Sequence, residues 1–164
     1  MGFNSFRTCH LRALLAWISV ALLIGFAGGA NAAGIAQIVH ARKAHFKTLG
    51  RTYKLLRDQI DRSHPHWRMV QVDARQIAVL SNSLSTWFPA GSGKGHGVGT
   101  RASREIWVKP AAFAQATQRM RISAQNLTRD AADHNLHALA LDTRRLGQSC
   151  ASCHRSFRSR SNFW

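Results

Sequence analysis

Apolar residues recur at helical spacing through most of the chain and strict alternation is nowhere sustained, so the pattern predicts helices and no strand of convincing period. From Gly34 to about Asp61 the sequence places Ile35, Val39, Phe46, Leu49, Tyr53, Leu56 and Ile60 at heptad spacing, the stripe of one long amphipathic helix. Ser63-His64-Pro65 ends it. A second helix is expected from about His66 to Trp87, with Trp67, Val70, Ala74, Ile77, Leu84 and Phe88 on one face and Pro89 closing it. A third, with Pro110 at its first position, runs to about Arg129 and turns Phe113, Ala116, Met120, Ala124 and Leu127 inward. The fourth starts near Asp133 as N-cap and carries Leu136, Leu139, Thr143, Leu146, Cys150, Cys153 and Phe157 on one face.

Four helices joined by short links and one long loop predict an all-α fold, an antiparallel up-down four-helix bundle. The long loop, Gly91 to Gly99, is glycine-rich, but Lys94 is followed by Gly95 rather than Ser or Thr and no strand precedes it. It therefore reads as a flexible connection, not a phosphate loop. Ala102 to Val108 is expected to be a short connecting turn.

Two positions disturb this pattern, and both carry chemistry. The seam of the fourth helix contains Cys150-Ala151-Ser152-Cys153-His154. This is the C-x-x-C-H run of covalent haem c attachment, in which the two sulfurs add to the vinyl groups and the histidine ligates iron. A zinc site would need a second short-spaced pair of ligands, and the nine histidines form none. A thiol redox motif would follow a strand. The third alternative is a chance run inside a structural helix. With haem as the reading, the cofactor lies inside the bundle, against the last helix. The second disturbance is Arg42, which occupies a stripe position of the first helix. A buried guanidinium is costly unless paired, and a haem propionate would pair with it; the alternative is that its head snorkels to solvent.

The N-terminal residues read as an address. Arg7 and Arg12 precede an apolar run from Ala13 to Phe26, and Ala30-Asn31-Ala32 offers a cleavage site. Residues 1–32 are thus expected to be a cleaved secretory signal peptide, with 33–164 the bundle and the periplasm its location. An uncleaved anchor is disfavoured, because the run falls short of the roughly 20 residues a span needs. Cys9 would leave with the signal, so the remaining thiols are the pair that haem consumes and no disulfide framework is left. The whole chain carries a net charge of +16, of which Arg7 and Arg12 supply two. Such a surface suits acidic partners or anionic membrane surface, whereas nucleic acid is not expected for an exported protein.

Taken together, Arg42-Lys43-Ala44-His45-Phe46-Lys47, Trp87-Phe88-Pro89-Ala90-Gly91-Ser92, Thr100-Arg101-Ala102, Glu105-Ile106-Trp107 with Phe113, and Leu146-Gly147-Gln148-Ser149-Cys150 to His154 with Phe157-Arg158 resemble the cytochrome c′ family. The resemblance covers essentially the whole expected mature chain. It implies haem held by Cys150 and Cys153, His154 as proximal ligand, Arg42 reaching a propionate, and Arg158 beside the proximal face. The family divides at the position four residues after that Arg: Met there gives a six-coordinate electron carrier, an apolar residue an open site. Phe46 implies a five-coordinate haem with a distal pocket also lined by Leu49, Tyr53 and Phe88.

Such a protein binds NO and CO and has redox activity without being an enzyme. The alternative is a low-spin electron-transfer cytochrome of the same fold docking an acidic redox partner. His45 flanks the same helix face as Arg42 and is expected to be exposed or propionate-linked, though a small helix rotation would bring it toward iron. His40 and Lys43 are weaker candidates for that role, and Met69 and Met120 are expected to be packing residues. Family members often form homodimers through their first two helices, against which Lys47, Arg51, Lys54 and Arg57 would repel.

Overall fold

The structure, a computed structural model, describes residues 27–95 and 99–160, with side chains from residue 34 onward. Arg7, Cys9, Arg12 and the apolar run expected to form the signal lie outside the described residues. Helix α1 spans Ala27–Ile60, α2 Trp67–Ser83 with a 3-10 turn Leu84–Trp87 continuing it, α3 Glu105–Val108, α4 Pro110–Ala132 and α5 Leu136–Phe157. The first helix thus starts upstream of Gly34. Ala27, Ala30, Ala32 and Ala33 favour helix strongly enough to carry it past Gly28 and Gly29. No described helix is long and apolar enough to cross a membrane.

Helices α1, α2, α4 and α5 form the bundle, and α3 is a single turn where a connecting turn was expected. Each long helix packs on its neighbours in chain order, α5 returns to α1, and the diagonal pairs do not meet. That is the up-down arrangement. The α5–α1 seam is the sparsest of the four.

Local signals set the boundaries. Pro110 opens α4, where its missing N–H costs nothing. The α5 cap is Asn135, whose side-chain oxygen accepts from the Ala138 N–H at 3.0 Å. Asp133, expected in that role, instead closes α4, with its own N–H donating to the Arg129 carbonyl. The reason is His134, which sits at φ 51° and turns the chain between the two helices. Only the residue after that turn can open α5.

The stripes read from the sequence converge on one core. Leu56, Ile77, Leu127, Leu139 and Leu146 are fully buried, each contributing about 1.5–3 kcal/mol relative to exposure. Met120 packs among them, but Met69 does not: it is 50% exposed on α2. Its sulfur meets the Gln59 amide at 4.0 Å. Where α5 ends, the chain before α3 is pinned to it. Ser103 N–H donates to the Phe157 carbonyl at 2.9 Å and Ser159 N–H to the Arg101 carbonyl at 2.8 Å, around an antiparallel bridge of Ala102 with Arg158.

At the opposite end, buried Asp130 of α4 faces Asp142 of α5. Asp142 accepts from Arg145 at 2.7 Å, and Arg129 stands 3.8 Å from Asp130. Burial first, then the neighbouring Asp142 carboxyl, raise the Asp130 pKa above the usual carboxyl range. The folded state therefore binds this proton more tightly than the unfolded chain. Its contribution to stability is complete below the ordinary Asp pKa and is lost as pH rises through the raised value. Asp130→Asn, which removes the charge that faces Asp142, is expected to stabilise the fold at neutral pH. It should also flatten the acid-side pH dependence, measured by urea unfolding across a pH series.

Candidate haem centre

A cavity of about 530 Å³ opens at the α1–α5 seam, at the end where residues 84–102 cross from α2 toward α3. It lies within the size range of small-molecule and cofactor pockets. Helix α1 contributes Arg42, Lys43, Phe46, Leu49 and Tyr53; α5 contributes Leu146, Gly147, Cys150, Cys153, His154 and Phe157. Phe88, Phe113 and Met120 close the floor, and Arg101 and Arg158 stand exposed at its edge. The structure thus brings together every site residue proposed from the sequence. They reach one place because cysteines three apart share the inward face of α5, and Arg42, Phe46 and Leu49 share that of α1.

The apolar wall is a relay of rings. Phe46 meets Trp87 edge-on at 5.1 Å and Phe88 at 6.1 Å, Phe88 meets Phe113 at 5.1 Å, and Phe113 meets Phe157 at 5.2 Å. The relay sets the Phe46 ring against the adjacent rings of Trp87 and Phe88, where the 3-10 turn after α2 ends. His45, its neighbour in sequence, is exposed and stacks on the other side of this group, its ring 4.8 Å from that of Trp87 and 21° off parallel. It is not among the cavity-lining residues, nor is His40, whereas Lys43 is.

Arg42 is 3% exposed, so its head does not snorkel to solvent. Its guanidinium donates to the Trp87 carbonyl at 3.3 Å and to Ser92 Oγ, the Ser92 carbonyl and Thr100 Oγ1, each at 2.9 Å. The charge also lies 4.6 Å over the Phe88 ring. Burial lowers its pKa. The partners of this charge among the described residues are therefore neutral oxygens and a ring, all from the α2–α3 connection. Ser92 is fully buried to make two of those bonds. Sequence reading had given Ser92 and Thr100 no role; a lone Arg in an apolar stripe, followed by a loop rich in small hydroxyl residues, was the available signal.

Burial raises the pKa of both thiols, that of Cys150 to about 11, with the neighbouring Cys153 adding to the effect there. A thiol that works in redox exchange has its pKa depressed instead, so this environment argues against a free C-x-x-C redox couple. His154 moves the other way. Partial burial first, then the charges of Arg158 and Arg101, hold its pKa below the usual imidazole value. A neutral imidazole keeps the lone pair that metal ligation needs. Two protonated thiols, one neutral imidazole, an apolar wall and exposed cations at the edge suit a flat hydrophobic group bearing a metal and acidic substituents. The residues present fit haem.

This combination defines the class, c-type cytochromes that carry their attachment run on the last helix of a bundle. Within it the chain belongs to the cytochrome c′ family, whose family model matches residues 37–158. The cofactor of that family is covalent haem c, and Cys150 and Cys153 supply the thiols here. The chain is 35% identical over 88 residues to cytochrome c-554 of Cereibacter sphaeroides, a match covering 53% of this chain and 65% of that protein. The chain thus spans less than two thirds of that relative's length. Among solved structures, cytochrome c′ from Thermochromatium tepidum superposes with a TM-score of 0.71 at 19% identity, over 76% of this chain and 96% of that one. A nitric oxide complex of a cytochrome c prime variant from Alcaligenes xylosoxidans gives a TM-score of 0.70 at 20% identity, over 77% and 97%. At these identities the structural matches establish the fold.

One close approach in the cavity wall was not foreseen. Tyr53 donates its hydroxyl to the Thr143 carbonyl at 3.3 Å, and this places its oxygen 2.5 Å from where a Cβ on Gly147 would stand. Gly147→Ala is therefore expected to force the phenol away and cost about 1–3 kcal/mol. Tyr53→Phe in the same chain should recover part of the loss, as read by urea unfolding of both variants.

Proposed function

We propose that the protein is a periplasmic cytochrome c′ that binds small neutral gases, NO and CO, at a five-coordinate haem, with redox activity and no protein acid–base catalysis. Residues 1–32 are on this reading a signal peptide and 33–164 the working domain. Bound in the cavity, haem c supplies an iron that can take a diatomic ligand or an electron. The chain's own residues do the rest. Cys150 and Cys153 hold the group covalently, His154 ligates it from α5, and Arg158, whose N–H caps the His154 carbonyl at 3.1 Å, steadies that ligand. Arg42 borders the cavity and would meet an acidic substituent of the group, and Phe46 and Phe88 would shield it from water.

The observation that carries the reading is Phe46. A ring held between Trp87 and Phe88 has no lone pair for iron and, by its contacts, little room to swing away. His45, the nearest imidazole in sequence, is committed to the outer face of Trp87. Lys43 supports the second reading, a low-spin electron carrier, because its amine belongs to a residue that borders the cavity. A homodimer through α1 and α2 is part of the proposal. Leu55, Met69 and Val72 are exposed on those helices, and Lys54 is partly neutralised by Asp58 at 2.6 Å.

The test is the visible spectrum of the ferric and ferrous holoprotein with and without NO, on wild type and on His45→Ala, Lys43→Ala and Phe46→Met. A broad high-spin ferrous Soret band that shifts on NO addition, unchanged by His45→Ala and Lys43→Ala, is the expected result. Phe46→Met should convert it to sharp low-spin bands and weaken NO binding at least tenfold, since a thioether must then be displaced. Sharp low-spin bands in the unliganded wild type, lost in Lys43→Ala or His45→Ala, would transfer the assignment to electron transfer and name the ligand.

A further inference from the structure

The acidic residues are strongly segregated along the bundle axis. Of the seven in the chain, six lie toward the end remote from the cavity. Asp58 and Asp61 are at the close of α1, Asp73 is in the first half of α2, Asp130 and Asp133 close α4, and Asp142 is in the first half of α5. The seventh, Glu105, stands at the cavity end and is paired with Lys109 at 2.8 Å. The remote end is thus a mixed surface in which Lys54, Arg129 and Arg145 have carboxylate partners. At the cavity end Lys43, Lys47, Arg101, Arg104, Arg155 and Arg158 are all exposed. None of the six forms an ion pair among the described residues.

This cationic face is also held in shape. Arg101 and Arg158 sit on the two strands of chain joined by the bridge at Ala102, and Arg101 Nε donates to the Ser159 carbonyl at 3.1 Å. Arg155 extends from the last turn of α5, and Lys43 and Lys47 are one turn apart on α1. Fixed charges of one sign around an apolar opening concentrate the field there and lower the ordering cost of docking.

We infer that the cavity end is a docking surface for the acidic face of a partner protein, with Lys47, Arg104 and Arg155 as contacts outside the haem site itself. Complementary charge at such a rim steers encounter and fixes orientation more than it adds affinity. A bilayer is the less suitable occupant. Surface-bound proteins add apolar insertion to charge, and among the described residues the large exposed apolar side chains of Leu55, Met69, Val72 and Ile122 lie on the flanks, with Val79 and Val108 isolated near this end. That the docked partner would stand beside the haem rests on the haem reading above; the docking surface itself rests on charge placement.

The test compares two triple variants of the full holoprotein that change net charge equally: Lys47→Glu, Arg104→Glu and Arg155→Glu at the cavity end, and Arg62→Glu, Arg68→Glu and Arg144→Glu at the remote end. Retained helical circular dichroism and visible spectra establish that both are folded and loaded. Binding is measured to poly-L-glutamate over a range of salt, and to phosphatidylcholine vesicles with and without phosphatidylglycerol. The cavity-end triple is expected to lose about tenfold or more in polyglutamate affinity with a shallower salt dependence, and the remote-end triple less than threefold. Equal losses would show that net charge alone is at work and overturn the proposal. Tighter binding to the anionic vesicles than to polyglutamate, lost in the cavity-end triple, would assign the face to lipid and overturn it likewise. A preparation without haem colour would count against the cofactor reading alone, since the polyglutamate comparison does not require it.

Discussion

A guanidinium shut away from water anchors this architecture. Moving a charge out of water costs several kcal/mol, and Arg42 offsets that cost with four hydrogen bonds that all run to the segment between Trp87 and Thr100. Charge-assisted bonds of this kind contribute roughly 1.5–3 kcal/mol each. The consequence is mechanical. The longest connection in the bundle, which joins the α1–α2 half to the α4–α5 half, is drawn onto the first helix. From that attachment follow the positions of Trp87 and Phe88, then the ring relay through Phe113 to Phe157, and so the apolar wall facing the attachment cysteines.

The same helix faces serve two purposes, which explains why so much was readable in the chain. Heptad stripes identify buried faces, and here the buried face of α5 is also where the chemistry is. Leu139, Thr143, Leu146, Cys150, Cys153 and Phe157 could be placed together by spacing alone, and the structure puts all of them on one side. Arg42 was conspicuous for the same reason: a charge in a stripe must be explained. Its protein partners could not be deduced, because hydroxyl and carbonyl acceptors from an irregular segment leave no periodic trace. The α5 cap was misplaced by two residues since both Asp133 and Asn135 suit an N-cap, and only the left-handed turn at His134 decides between them. Met69 was misjudged because its identity says core while its position on α2 faces solvent. Side-chain direction at a helix edge is settled by the neighbouring helix, not by the residue.

The pocket is tuned by what surrounds the functional groups more than by the groups themselves. Burial raises the pKa of both thiols, and partial burial beside two arginines lowers that of His154. Tyr53 brings a hydroxyl into an otherwise apolar wall, but its proton is already directed to the Thr143 carbonyl, an arrangement possible because Gly147 offers no side chain there. A wall with few free donors favours small neutral molecules over ones that need hydrogen bonds.

The sparse seam between α1 and α5 gives the molecule an uneven architecture. Helices α2, α4 and α5 pack extensively in sequence, whereas α1 adjoins α2 strongly and α5 only lightly. The cavity is therefore assembled from two sequence-distant parts of the chain, around residues 42–53 and 146–158, whose meeting closes a loop of roughly a hundred residues. Long closures are entropically costly and form late. The seam over the two cysteines is accordingly the one that separates with the least loss of helix packing.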